Sequence, residues 1–78
     1  MIPEDPSKAA VHYRKAVAGG IVNAFFNLGM LYYNGRGVEK DLYQAIDLWI
    51  GAFERGHPKA TCMLVWLWLM QKLLYFYL

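Results

Sequence analysis

Ala24-Phe25-Phe26-Asn27-Leu28-Gly29-Met30-Leu31-Tyr32-Tyr33-Asn34-Gly35-Arg36-Gly37-Val38-Glu39-Lys40-Asp41 is the stretch from which the rest of the chain is read. Its first half repeats apolar residues at helical spacing, with Ala24, Leu28 and Leu31 on one side and Phe25, Gly29 and Tyr32 beside them. Its second half breaks the helix at Gly35 and Gly37 and offers Asp41 as a new cap. The stretch therefore reads as one helix, a tight turn and the start of another. A shift of 36 positions overlays the chain on itself: Ala9 falls on Ala45, Tyr13 on Trp49, Ala16 on Ala52, Gly20 on Gly56, Ala24 on Ala60 and Leu28 on Leu64. Self-similarity at such a period marks an array of helical hairpins.

Outward from this centre, residues 1–6 form an acidic, proline-containing lead-in without the positive start or apolar core of a signal peptide. Asp5 is placed to cap a first helix with Pro6 at its first position, Ser7 being the competing cap. That helix is expected to run to about Ala18 and to bury Ala9, Ala10, Tyr13, Ala16 and Val17 before Gly19-Gly20 stops it. A second starts near Val22 and ends at Asn34-Gly35, with Gly29 marking a contact too close for a side chain. A third follows the Asp41 cap, where Gln44 can close a capping box, and runs to about Arg55 with Leu42, Ala45, Ile46, Leu48, Trp49, Ala52 and Phe53 on its apolar side. Gly56 ends it as Gly20 ended the first, and His57-Pro58 opens a fourth. The fold expected is all-α, a short solenoid of about four antiparallel helices.

Ala24, Leu28, Gly29, Tyr32, Gly35, Gly37, Val38 and Asp41, followed by Ala45, Trp49, Ala52 and Gly56, also carry a family pattern. By these residues the chain resembles the Sel-1-like repeat family, relatives of the tetratricopeptide repeat, from Ala9 to about Leu64. On that pattern residues 7–20 are a partial repeat contributing a second-type helix and 21–56 one complete repeat. Residues 57–78 are a partial repeat contributing a first-type helix with a divergent tail. The resemblance implies an adaptor or scaffold that binds a peptide or partner helix in a concave groove lined by first-type helices. Carried onto this chain, the groove positions are Asn23, Phe26, Asn27, Met30 and Tyr33, and one period later Lys59, Cys62, Met63, Trp66 and Leu69. The alternative for Phe26, Met30 and Trp66 is that they pack against one another as core.

The fourth helix departs from the pattern, because Val65 stands where Gly29 stood and no glycine matches Gly35. Every residue from Cys62 to Met70 is apolar, and only Gln71 and Lys72 and the hydroxyls of two tyrosines interrupt the run to Leu78. A helix apolar all round is buried, lies in a membrane, or has lost its specification. One reading is an uncapped repeat helix, the chain being a truncated or alternatively ended form, whose tail packs back on Trp49 and Phe53 or on a partner, self-associating or binding another helix through Trp66, Leu67, Leu69 and Met70. The other is a small membrane-associated protein anchored by this helix. The first is expected, since the unbroken apolar run is short of the ~20 residues that cross a bilayer and Lys72 interrupts the longer span.

Other function classes are excluded by composition. A net charge of +2 with both signs dispersed argues against a nucleic-acid surface. The single cysteine, Cys62, rules out an internal disulfide framework and suits a reducing, cytoplasmic setting; its apolar helix predicts a buried structural thiol. His12 and His57 have no acid or thiol at a ligand spacing, so no metal is expected. The glycines at 35 and 37 lack the strand and the fuller pattern of a phosphate loop. Ser7 and Thr61 belong to helix starts, and Glu39 and Asp41 to a turn and a cap. Nothing assembles a nucleophile, a base and an oxyanion stabiliser, so no catalytic residue and no cofactor is expected.

Overall fold

In the computed structural model, which describes residues 5–77, four helices follow one another: α1 (Pro6–Ala18), α2 (Val22–Asn34), α3 (Leu42–Glu54) and α4 (Pro58–Tyr77). Each packs on its sequence neighbour, so the described residues form a row of helices of the kind expected of a helical repeat array. Residues 1–4 of the lead-in and Leu78 lie outside the described residues.

The helices begin and end where local chemistry dictates. Asp5 caps α1 by accepting from the Ser7 N–H at 2.9 Å, with Pro6 in the first turn. Asp41 caps α3 by accepting from Tyr43 and Gln44 N–H. The capping box expected there is only half made. The Asp41 N–H that Gln44 was to satisfy donates instead to the Tyr32 carbonyl at 3.0 Å, tying the start of α3 to the end of α2. A backbone acceptor already held in place leaves the Gln44 side chain nothing to reach back to.

The stops of α1 and α3 are the same motif 36 residues apart. Gly20 N–H donates to Val17 O and Ile21 N–H to Ala16 O; Gly56 N–H donates to Phe53 O and His57 N–H to Ala52 O. Gly20 and Gly56 hold φ of 79° and 84°, the left-handed conformation this closure requires. The repeat read from the letters is thus present in these paired backbone bonds at the two stops.

Small residues let the helices approach. Ala9, Ala10, Ala24, Leu28, Ala45, Trp49, Ala52 and Ala60 are the buried apolar residues, and Trp49 is the largest side chain fully removed from solvent. Its indole lies against Gly29, where an added Cβ would come within 2.5 Å of Nε1. The same Nε1–H donates to the Phe26 carbonyl at 3.2 Å, so the buried ring keeps its polar atom satisfied. Leu42 and Phe53, expected on the buried side of α3, are about half exposed and flank its packed stripe of Ala45, Trp49 and Ala52.

Candidate functional site

Phe26, Pro58, Lys59, Cys62 and Met63 line an apolar groove of about 350 Å³ where α2 meets the first turns of α4. Its geometry depends on how α4 starts. His57 is buried at the residue before Pro58 and accepts the Ala60 N–H on Nδ1 at 3.2 Å, which caps the helix. With Nδ1 an acceptor, Nε2 carries the hydrogen and donates to Asn23 Oδ1 at 3.1 Å, tying α4 to α2. The Phe26 ring stacks on the imidazole with centroids 4.8 Å apart and planes 13° apart, so one face of the groove wall is held rigid. Thr61 Oγ returns a bond to the His57 carbonyl at 3.2 Å, in keeping with a place in the first turn.

The residues expected in a groove divide by role. Phe26, Lys59, Cys62 and Met63 come together around it. Asn23 is drawn into the His57 bond, leaving its amide nitrogen for other partners. Met30 and Tyr33 pack on the Trp49 cluster, Tyr33 with its ring centroid 5.6 Å from that of Trp49. Asn27 is half-buried on α2. Trp66 and Leu69 continue from Cys62 along α4, each 48% exposed. Phe26 and Met30 therefore do pack toward the core, but Trp66 does not join them.

Two side chains depart from expectation. Cys62 is exposed rather than a buried structural thiol, because the face of α4 turned toward α3 is Ala60, Met63, Leu64 and Leu67, and Cys62 falls beside it. His57, an ordinary histidine by its sequence neighbours, is the residue that positions the groove. The signal available was its place between Gly56 and Pro58, a cap position; its counterpart one period earlier, Ile21, makes no side-chain cap.

A larger cavity of about 510 Å³ lies beside the α2–α3 connection, lined by Arg14, Tyr32, Glu39, Lys40, Asp41 and neighbours. Its charges are of both signs. Arg14 is committed to the Tyr32 hydroxyl at 2.8 Å and Asp41 to its cap, so the lining reads as a solvated seam. Among the described residues no cluster of three or more histidine, cysteine or acidic side chains could hold a metal ion.

Beyond Trp68, which still lines an apolar cleft with Phe53 of α3, α4 leaves the other helices. It runs 20 residues to Tyr77, and it is a helix long and apolar enough to cross a membrane by length and composition, with 6% of its apolar window buried.

No curated protein and no solved structure matches the chain significantly. A family model described as the Sel1 repeat matches twice, over residues 1–21 and 23–57, spans that contain α1, α2 but for its first residue, α3 and the buried His57. Sel1 repeats are helical, related to the tetratricopeptide repeat, and generally serve as protein–protein interaction modules. With its 36-residue period, its paired glycine stops and these matches over most of its length, the chain belongs to the Sel1 repeat family.

Proposed function

We propose that the chain is a non-catalytic protein-binding module in which the groove at the α2–α4 junction takes a short peptide segment bearing an apolar side chain next to a carboxylate. The observation that carries this reading is the lining itself. Phe26, Pro58, Cys62 and Met63 offer an apolar floor, and the Lys59 ammonium is the one charged group at its edge. The volume admits one large side chain of a partner, and methionine beside an aromatic ring adapts to its shape. Asn23, behind the groove wall on the His57 ring that stacks on Phe26, has amide hydrogens to give to a peptide carbonyl, its oxygen being held by His57. The repeat boundaries read from the sequence agree with this use, since the groove forms where the complete repeat, residues 21–56, meets the helix that follows it.

Selection from a displayed random-peptide library against the whole chain, followed by titration of the enriched peptides, tests the proposal. Enrichment of an apolar residue flanked by Asp or Glu is expected, with Cys62→Arg and Lys59→Glu each weakening binding about tenfold or more. Both positions are exposed, so neither change disturbs the core. Enriched peptides whose binding ignores both substitutions would overturn the assignment.

A further inference from the structure

The last side chain of α4 packed against the Trp49 cluster is Leu67, and Trp68 to Tyr77 project beyond it. Ten residues of helix extend about 15 Å, half of the ~30 Å hydrocarbon thickness of a bilayer. Nearly every large side chain on this projection is exposed: Trp68 57%, Leu73 56%, Leu74 58% and Phe76 83%.

How the exposed residues are arranged selects what covers them. At 100° per residue, Trp68, Gln71, Lys72 and Tyr75 share one strip of the helix, and these four line a single shallow cleft. Opposite the strip, Phe76, Leu69, Leu73, Trp66, Met70 and Leu74 spread over roughly 160° of the circumference, and Trp68 and Tyr75 within the strip are themselves aromatic. A partner helix or a second copy covers a stripe about 100° wide and would leave Trp68, Tyr75 and the flanks of this arc wet, whereas lipid chains surround a helix on all sides. No acidic residue occurs after Glu54, and Arg55, Lys59 and Lys72 supply the only charges there, which suits an anionic headgroup layer. The Lys72 ammonium leans back over the Trp68 ring, 5.4 Å from its centroid, toward the folded end of α4 and hence toward water if the tip points inward. Core helices of soluble proteins and N-terminal signal segments also reach such lengths and apolarity, but α4 is neither buried nor near the start of the chain.

We propose that the projecting half of α4, Trp68 to Tyr77, inserts into one leaflet of an anionic lipid bilayer, with Trp68 and Lys72 at headgroup level and the docked half holding the repeat at the membrane surface. This insertion is independent of the groove, because Lys59 and Cys62 lie on the docked half. It also avoids the requirement that α4 span the bilayer, which would pull Leu64 and Leu67 off the Trp49 cluster.

The test is flotation of the whole chain with phosphatidylcholine vesicles containing a minority of phosphatidylglycerol, combined with quenching of tryptophan fluorescence by lipids brominated in the acyl chain. The chain should float and its emission should be quenched. Leu69→Glu and Leu73→Glu should each lower the floated fraction roughly tenfold while leaving helix content unchanged, because neither side chain is packed in the domain. Tyr43→Glu, on exposed α3 surface, should float like the parent chain. Recovery of the parent chain away from the vesicles, as a monomer or as a self-associated oligomer, would overturn the proposal. So would flotation that Leu69→Glu and Leu73→Glu leave intact, or that Tyr43→Glu abolishes equally.

Discussion

Gly29 and Trp49 are complementary at the level of single atoms. An indole fits where no side chain stands, and the same ring hydrogen-bonds the α2 backbone. Gly29→Ala should therefore cost about 1–3 kcal/mol despite alanine's better helix propensity, and Gly29→Leu should prevent stable folding. Gly51 makes the useful contrast. Its added Cβ would meet the Phe25 ring, which is half-buried and can swing aside, so Gly51→Ala should change stability by less than about 1 kcal/mol. Asn34→Ser, at the exposed end of α2, should fall within about 0.5 kcal/mol. Urea denaturation of the variants checks the order, and equal losses at Gly29 and Gly51 would refute the packing argument. His57 permits a second comparison. His57→Ala removes the α4 cap together with the bond to Asn23 and should cost about 1–2 kcal/mol, whereas His57→Asn can restore the cap and should recover part of that loss.

Helix α4 is one element in two environments, and each half should respond differently to truncation. Leu64 packs against the cluster of Ala45, Trp49, Ala52 and Ala60, so Leu64→Ala should cost about 2 kcal/mol or more. Leu73 has no such surroundings, so Leu73→Ala should shift stability by no more than about 0.5 kcal/mol in lipid-free buffer. Thermal unfolding followed at the helix signal distinguishes the two, and comparable losses would mean that the projecting half is packed after all. The helix also shows why its sequence resisted assignment. An apolar residue at every position carries no phase, so nothing in the letters from Cys62 to Met70 says which face is turned inward.

For the molecule as a whole, far-UV circular dichroism should show an all-helical spectrum, and one dominated by strand would contradict the fold. Gly20→Ala and Gly56→Ala should each cost on the order of 1 kcal/mol, since both residues occupy the same left-handed position with nothing near the added Cβ. Equality of the two losses would express the repeat as an energetic symmetry, read by chemical denaturation of each variant. Markedly unequal losses would show that the neighbouring helices, rather than the stop motif, dominate at one of the sites.

The repeat period, the glycine stops, the Asp5 and Asp41 caps and the Gly29 approach were legible in the letters because each is a local rule. A cap, a left-handed residue or an apolar period of 3.6 is satisfied within a few positions along the chain. Three things were decided only in three dimensions, where one helix supplies what another lacks. The Asp41 N–H found the Tyr32 carbonyl instead of Gln44, Cys62 turned outward, and His57 became the link between α2 and α4. Each depends on how one helix meets another. Between α2 and α3 that meeting is made by Trp49 seating on Gly29: the letters mark a close approach at Gly29, but not the residue 20 positions away that makes it.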